Sequence, residues 1–386
     1  MLNILGENRQ TATVEPDDAG LPRIRPCLPG DLAAVAALFK KTFGHRSRPG
    51  APRLPDYLGE VFLDHPWRDP SVPSLVFVGP TGGVAGFIGV LPLRMELADE
   101  PVSAAIAGSL MVDNPAENPL AGARLMRTFL NGPQDLSLSE TANAVSRRMW
   151  ERLGGKAEPF YSMEFLRIFE PAGFALAVAA EKRPGLAMLK PLGRGIDAVA
   201  ARFKANPLRL APAAAGPLHA VEAGGAELAE AILDLSQGYL LRPAWDAETL
   251  PWFLGHAAEK DRYGALHGRV LLDRKDRPAG ASLVYLRRRG VAYVLQMLAR
   301  PEAREAVADD LFAHAFAAGA VAVRGRAQPD FADPLLHRRA VFLHASSTMI
   351  RAKRPDLLAP IEAGAALITG LAGEVWSRLI GGAFAA

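Results

Sequence analysis

Residues 104–155 constrain this chain most, because strand and helix patterns alternate there with short connections. An apolar run over 104–112 predicts a strand, and Asn118-Pro119 after it predicts the start of a helix. Asparagine is a good N-cap. Proline suits the first helical position, because it lacks an N–H where the helix has no carbonyl partner for one. The sequence therefore predicts a strand followed by a well-defined helix.

The first turn of that helix has almost no side-chain bulk. It consists of Leu120, Ala121, Gly122 and Ala123. Unpaired backbone N–H groups and the positive end of the helix dipole lie open to an anion at such a start. The stretch therefore predicts a phosphate seat. Arg124 and Arg127, on adjacent turns, either contact phosphates as well or form the solvent-facing side of the helix.

Composition excludes several classes of protein. The 386 residues include 44 basic and 41 acidic side chains, and a net charge of +3 is too small to indicate a nucleic-acid surface. A single cysteine, Cys27, excludes an intramolecular disulfide and indicates a reducing compartment. The N-terminus has no signal-peptide pattern, so we expect a cytoplasmic protein.

Two further expectations concern the C-terminus and metals. Glu374 and Arg378 interrupt the apolar C-terminal segment, which argues against a membrane span and favours packing against the body of the protein or across a homodimer interface. The eight histidines include no pair at metal-ligand spacing, so the sequence predicts no metal site.

The order of elements predicts an α+β fold. Residues 21–170 read as a strand, two helices, three antiparallel strands, a helix, a strand, a second helix and a closing strand at 160–169. Neighbouring strands have room to diverge between the strand that ends at Val112 and the one that ends at Glu140.

The second half of the chain repeats this order. Residues 1–20 read as a flexible N-terminus, 171–217 as a helical, proline-rich connector, and 218–386 as a second, degenerate copy of residues 21–170. We therefore expect two similar tandem domains, each a mixed, mainly antiparallel twisted sheet flanked by helices.

Two motifs connect the first copy to a known family. The family's helix start reads Arg or Gln, two residues, Gly, one residue, Gly or Ala, and a Leu pair. Its next strand and helix read Asn-x-x-Ala-x-x-x-Tyr-x-x-x-Gly. The matching positions here are Asn118, Ala121, Ala123, Leu125 and Met126 in the first motif, and Asn143, Ser146, Trp150 and Gly154 in the second. The chain thus resembles the GCN5-related N-acetyltransferase (GNAT) superfamily, with Asn in place of the basic residue and Ala in place of the first glycine.

The resemblance implies tandem GNAT-like domains and an acetyl-CoA or longer acyl-CoA co-substrate. Its pyrophosphate would lie on the N–H groups of residues 120–124, and its pantetheine arm would run between the diverging strands. The implied coenzyme contacts are Met111, Val112, Asn118, Leu120, Ala121, Gly122, Ala123, Arg124, Asn143, Ser146 and Trp150.

The implied chemistry is acyl transfer to an amine. Trp150 stands where family members commonly have a tyrosine that protonates the leaving thiolate, and an indole cannot do this. Tyr161 is the nearest tyrosine, but core packing is an alternative role for it. Glu140 is the first candidate base and Asp113 the second. Alternatively, Glu140 caps a helix and Asp113 serves a turn.

The second copy lacks the phosphate seat, because its helix begins Ala-Arg-Pro-Glu-Ala-Arg-Glu with bulky and acidic side chains. We expect this half to shape the acceptor site or an interface. The predicted function is a bacterial N-acyltransferase that acts on a primary amine of a small molecule or of a sugar or cell-envelope precursor. Two alternatives stay open: a peptidoglycan-bridge type transferase that uses aminoacyl-tRNA, and a non-catalytic CoA-binding scaffold.

Overall fold

A computed structural model describes residues 23–44, 46–183, 185, 197, 217–260 and 262–385. Part of the predicted connector and the predicted flexible N-terminus lie outside the described residues. The first half contains strands β1 (Arg23–Pro26), β2 (Arg46–Ser47), β3 (Leu75–Val78), β4 (Val84–Leu97), β5 (Glu100–Val112), β6 (Leu136–Ala142), β7 (Lys156–Glu158) and β8 (Met163–Ile168), and helices α1 (Leu32–Phe43), α2 (Leu54–Phe62), α3 (Ala121–Leu130), α4 (Ala144–Arg152) and α5 (Pro171–Lys182).

The second half begins at β9 (His219–Ala223). It continues with strands β10 (Leu241–Pro243), β11 (Ala265–Leu272), β12 (Pro278–Leu286), β13 (Val291–Ala299), β14 (Ala322–Arg326), β15 (Val341–His344), β16 (Ser347–Ala352) and β17 (Ala383–Phe384), and with helices α6 (Gly225–Ser236), α7 (Leu250–Ala258), α8 (Arg304–Ala317), α9 (Ala332–His337) and α10 (Leu358–Glu362).

Two large mixed sheets organise these elements. The first has the order β1-β3-β4-β5-β6-β16-β7, with β10 added to β4, and the second has the order β15-β8-β14-β13-β12-β11-β9. Most neighbours are antiparallel, but β5 and β6 in the first sheet and β13 and β14 in the second are parallel. Helices flank both sheets, so the predicted α+β fold class is confirmed.

The two halves exchange strands. The predicted closing strand of the first half exists as β8, but it pairs with β14 and β15 in the second sheet. Strand β16, from the second half, pairs with β6 and β7 in the first sheet. The assignment of β8 to the first sheet was wrong, because alternation along a strand identifies its buried face but not the edge to which it bonds. The domain boundaries at 170 and 217 stay a prediction.

The C-terminal segment packs against the body of the protein, which was one of the two expectations for it. Leu371, Val375 and Trp376 are buried in the largest hydrophobic cluster, together with residues of both halves. Trp376 packs edge-on against Trp252 and Phe253 of α7. The homodimer stays a prediction. Among the described residues, no helix has the length and apolar character needed to cross a membrane.

Candidate functional site

The parallel strands β5 and β6 separate part-way along their length. They pair at residues 104–106 with 136–138, and β5 then continues to Val112 while β6 continues to Ala142. The pairing of β4 with β5 is also irregular between Phe87 and Gly89, and Ser109 has a φ of 52°. Such a bulge bends a strand. The predicted divergence of these strands is therefore confirmed, and it leaves backbone groups of both strands unpaired with each other.

A cavity of about 520 Å³ opens at this gap. Its apolar wall includes Phe39, Phe43, Phe62 and Phe384. At the gap itself it is lined by Gly108 and Ser109 of β5, Thr141 of β6, and Glu374 of the C-terminal segment. The cavity thus combines an aromatic wall with a small polar end that contains a carboxylate, and Arg46 and Arg262 also line it.

Glu374 lies directly in the gap between the strands. Its Oε1 accepts hydrogen bonds from the backbone N–H groups of Glu140 (3.1 Å) and Thr141 (2.9 Å) and from the Thr141 hydroxyl (2.8 Å). Its Oε2 would be 2.5 Å from a Cβ atom at position 108, so only glycine leaves room for it there. Burial, reinforced by the nearby charge of Glu140, raises the pKa of Glu374 to about 7.

Glu140, the first candidate base, is not among the residues that line the cavity. Its carboxylate accepts hydrogen bonds from the N–H groups of Gly370 and Glu374, both at 2.9 Å. Arg326 of β14 donates to the Glu140 carbonyl at 2.5 Å, and its Nε lies 3.6 Å from the carboxylate. Burial raises the pKa of Glu140, while Arg326 and these N–H groups counteract the effect. Glu140 therefore anchors the C-terminal segment that carries Glu374.

A buried lysine holds the same segment from another side. Lys260 donates to the carbonyl of Val375, and its ammonium lies 5.6 Å from the centre of the Tyr285 ring and 5.8 Å from that of Tyr263. Desolvation lowers the pKa of Lys260 to about 7, although the charge of Glu140 favours the protonated form. The turn that presents Glu374 is thus held by Glu140 of β6 and by Lys260, which follows α7.

The other two expected catalytic residues lie outside the cavity lining. Asp113, after β5, forms an exposed ion pair with Lys41 of α1, and this partner lowers the pKa of Asp113. Tyr161 is buried, and its hydroxyl donates to the carbonyl of Ala366 at 2.9 Å, while burial raises its pKa. The core role offered as an alternative for Tyr161 matches this placement.

The helix after β5 begins later than expected. Asn118 does not cap α3: its side chain donates to the carbonyl of Asp113 at 3.2 Å, and the N-cap is Leu120. The local turn satisfies Asn118 before the helix starts, which is why the Asn-Pro pattern misplaced the boundary. Ala121 donates to Asn118, whereas the N–H groups of Gly122 and Ala123 have no acceptor among the described residues. The small-residue helix start is therefore present, three positions after Asn118.

Side chains of β5 and α4 lie beside this helix start. Gly122 faces Val112 and Met149, since a Cβ atom there would lie 3.4 Å from the Val112 methyl and 3.8 Å from the Met149 sulfur. On β5, Met111 next to Val112 is buried. Leu120 is exposed, and the guanidinium carbon of the exposed Arg124 lies 5.4 Å from the centre of the Phe77 ring.

Helix α4 presents other side chains than the motif implied. Asn143 is exposed and caps α4, because its side chain accepts from the N–H groups of Val145 and Ser146. Trp150 is fully buried and packs edge-on against Phe129 of α3. Met149, one residue earlier, is the α4 side chain that approaches Gly122. The implied contact of Trp150 with a coenzyme is therefore not favoured, because its indole fills the core between α3 and α4.

Sequence reasoning missed Glu374, Thr141 and Met149 as site residues. Glu374 was noted only as a break in an apolar segment. A lone carboxylate within a run that must be buried is the signal that could have identified it, since buried carboxylates need specific partners. Thr141 and Met149 carried no distinctive signal, because their positions depend on how β6 and α4 pack.

A second cluster of ligand-type side chains lies in the other half of the molecule. Glu222 of β9, His267 of β11 and His314 of α8 bring one potential metal-ligand atom each to within 4.8 Å of one another. Spacing along the sequence indicated no metal site, but that argument does not cover ligands from three separate elements.

Comparison with known proteins adds evidence on the fold. No known family model matches the sequence, and no curated protein resembles it closely enough to count as a match. Solved structures do match. A protein of unknown function and probable N-acyltransferase from Enterococcus faecalis V583 aligns with a TM-score of 0.59 at 11% identity, over 86% of this chain and 72% of its own.

Two further structures bear the family's name. A GCN5-related N-acetyltransferase from Anabaena variabilis ATCC 29413 aligns with a TM-score of 0.54 at 12% identity, over 86% of this chain and 73% of its own. One from Kribbella flavida has a TM-score of 0.51 at 15% identity, over 89% of this chain and 72% of its own. The fold is that of the GNAT acyltransferases. At these identities the similarity establishes the fold alone. It confirms the resemblance seen in the sequence as a resemblance of fold.

Proposed function

We propose that this protein is an N-acyltransferase that moves an acyl group from coenzyme A to a primary amine. The observation that carries the proposal is the position of Glu374. A carboxylate whose pKa is near 7 lies between two diverging parallel strands of a GNAT fold, at the end of a cavity large enough for a small molecule. A base with this pKa is matched to removing a proton from an ammonium group at neutral pH.

The donor would lie along β5. The start of α3 offers the N–H groups of Gly122 and Ala123 to phosphate oxygens, and it contacts Val112 at the end of β5. Ser109 is three residues away, or about 10 Å along an extended strand. The pantetheine arm would cover this distance on the unpaired edge of β5, which places the thioester beside Glu374 at the polar end of the cavity.

The reaction follows from this arrangement. The carboxylate of Glu374 takes a proton from the acceptor's ammonium group, and the freed amine attacks the thioester carbonyl carbon. The new C–N bond forms, the C–S bond breaks, and the nitrogen loses a second proton as the amide forms. The thiolate takes up one proton, so the overall reaction releases one. Holding both reactants in the gap supplies much of the rate enhancement.

No acid at the position of Trp150 takes part in this scheme. The indole is buried against Phe129, and its N–H is far too weak an acid to protonate a thiolate. A thiol with a pKa of about 8.5 is a fair leaving group near neutral pH without general-acid help. We therefore assign no residue to this step, and we do not retain Tyr161 or Asp113 as catalytic groups in the proposal.

The acceptor would be an amine on an apolar or aromatic body. Apart from its polar end, the cavity is lined by the rings of Phe39, Phe43, Phe62 and Phe384, by aliphatic side chains, and by Arg46 and Arg262. Aromatic walls bind apolar bodies strongly, whereas a sugar would leave hydroxyl groups without partners there. Among the predicted acceptors, a hydrophobic small-molecule amine fits this wall better than a sugar precursor.

Two measurements test the proposal. Titration calorimetry with acetyl-CoA should show saturable binding, and release of free thiol should then be followed with a panel of aryl-alkyl, alkyl and sugar amines. Absence of binding at millimolar acetyl-CoA would refute the proposal. Binding without turnover on any amine would favour the non-catalytic CoA-binding alternative, and tRNA binding that weakens steeply with salt would favour the aminoacyl-tRNA alternative.

A further inference from the structure

Three side chains of the second sheet and its covering helix converge away from the proposed acyl-transfer site. In the second sheet, β9 and β11 are antiparallel neighbours, with Glu222 directly opposite Arg269. His267 lies two residues before Arg269 on the same face of β11, and its ring centre is 5.9 Å from that of His314 on α8. One potential ligand atom from each of Glu222, His267 and His314 lies within 4.8 Å of the other two.

The surroundings of His314 suit a ligand. Its Nε2 is buried and has no hydrogen-bond partner among the described residues. A buried ring nitrogen without a partner is costly, and a bound cation would remove that cost.

The surrounding charges permit a cation. Arg269 faces the cluster, but its guanidinium binds Asp310 of α8 through two hydrogen bonds of 2.8 and 2.6 Å. This pair is internally neutralised. The remaining charge of the cluster is the exposed carboxylate of Glu222, which is attracted to Arg269 and leaves one side of the cluster open to solvent.

We propose that Glu222, His267 and His314 form a zinc-binding site that joins β9 and β11 to α8. Two imidazoles and one carboxylate are a known set of zinc ligands, and zinc prefers them over the all-oxygen sets typical of magnesium and calcium. Bonds of about 2.0–2.2 Å in a tetrahedral site place ligand atoms about 3.3 Å apart, so side-chain rotations would have to bring the atoms closer by at most about 1.5 Å. The exposed side leaves a fourth position for water.

The site would act as a cross-link. Strand β9 is the outer strand of the second sheet, and its backbone pairs only with β11 among the described strands. A metal bound by β9, β11 and α8 would hold this edge strand in place through side chains. Since the cluster lies in the second sheet and the proposed base lies in the gap of the first, zinc is expected to affect stability but not the acyl-transfer step.

The test is zinc titration of the full-length protein after treatment with a chelator. Competition with a chromophoric zinc indicator should show one zinc per chain in the wild type. His267→Gln, His314→Gln and Glu222→Gln should each weaken binding, the two histidine variants at least about tenfold, because each change removes one of three ligands. His337→Gln is the matched control, since it removes an exposed histidine elsewhere on the second half.

A spectroscopic readout separates this site from scattered surface binding. Cobalt(II) should produce visible absorption typical of a four-coordinate ion in the wild type and in His337→Gln, but not in the two cluster variants. Cys27 should not compete, because burial raises the pKa of its thiol to about 12. Unchanged affinity and stoichiometry in folded His267→Gln and His314→Gln, verified by circular dichroism, would overturn the proposal, as would no binding by the wild type.

Discussion

The parallel strand pairs within the two large sheets differ in what fills the gap beside them. In the second sheet, β13 and β14 pair up to Val294 and Gly325, and beyond them the side chain of Gln328 accepts from the N–H of Met297 and donates to its carbonyl, at 3.0 and 2.8 Å. In the first sheet, Glu374 lies between β5 and β6 and only accepts. The Gln328 amide pairs with both the N–H and the carbonyl of one strand residue. The Glu374 carboxylate pairs with N–H groups alone, and it also places an ionisable group in the gap.

The helices that follow β5 and β13 also differ, in the size and charge of the side chains at their starts. Helix α3 begins with small residues, and Gly122 is half-buried beside β5. Helix α8 follows a short 3-10 turn that carries Glu302, and Glu305 lies in its own first turn. Acidic side chains at a helix N-terminus repel a phosphate. Both large sheets thus have a parallel strand pair followed by a helix, but only the start of α3 is a candidate donor site. The acidic start of α8 is unfavourable for a phosphate.

Replacement of the carboxylate in the first gap should have the largest effect. In Glu374→Gln the amide oxygen can still accept from Glu140 and Thr141, so the fold should persist while the base is lost. We expect kcat/KM to fall by at least about 100-fold, since general bases contribute about 10²- to 10⁴-fold. The measurement is thiol release with the best amine found. Glu362→Gln, at an exposed carboxylate of α10, is the control, and a loss below threefold in Glu374→Gln would refute the assignment.

Making the first helix start resemble the second should weaken donor binding. Gly122→Glu places a negative charge where the pyrophosphate would lie, and we expect the Kd for acetyl-CoA to rise by about 10- to 100-fold. Titration calorimetry measures this. Gly122→Ala should change the Kd much less, since its Cβ would make only ordinary contact with Val112 at 3.4 Å.

A control at the second helix start completes this test. Glu302→Gln removes an exposed acidic group before α8 and should leave the Kd for acetyl-CoA within twofold of wild type. A comparable change in Gly122→Glu and Glu302→Gln would mean that the two helix starts do not differ in donor binding.

The pH profile should report the ionisation of Glu374. Because the base must be deprotonated, kcat/KM should fall about tenfold per pH unit below pH 7 and level off above it. Since burial raises this pKa, the folded state binds the proton more tightly than the unfolded state. The stabilisation from this proton is present below about pH 4.5 and is lost as the pH rises through 7. Glu374→Gln should lose both dependences, and a profile shared by wild type and variant would exclude Glu374 as the titrating group.

The smallest effect on activity is expected in the second gap. Gln328→Leu leaves the N–H and carbonyl of Met297 buried without partners, and the free energy of unfolding should fall by about 1–3 kcal/mol. Chemical denaturation measures the loss. The rate per folded molecule should match the wild type, and a large loss of rate would show that the two gaps are not functionally separate.

Local patterns in the sequence predicted much of the fold. Apolar periodicity and turn residues identified six of the eight described strands of the first half, all but the short β2 and β7. They also indicated the divergence after Val112, and small residues marked the start of α3. These features depend on neighbouring residues along the chain, which is why they could be read without tertiary structure. The α+β class and the resemblance to GNAT proteins rested on the same local order.

Errors arose wherever partners are distant in the sequence. The exchange of β8 and β16 between the two sheets depends on which sheet edge each strand reaches. The partners of the Glu140 carboxylate, Gly370 and Glu374, lie more than 200 residues away along the chain, so no local pattern indicates them. The start of α3 was misplaced because Asn118 is bound by its own turn.

The sequence by itself determined the elements, their order and the small-residue helix start, because these follow from local backbone preferences and the burial of apolar faces. Only the tertiary structure decided the chemistry. It brought Glu374 into the gap between β5 and β6, raised its pKa by burial, and gathered Glu222, His267 and His314 from three elements. Desolvation and ligand geometry depend on distances through space, and spacing along the chain does not specify them.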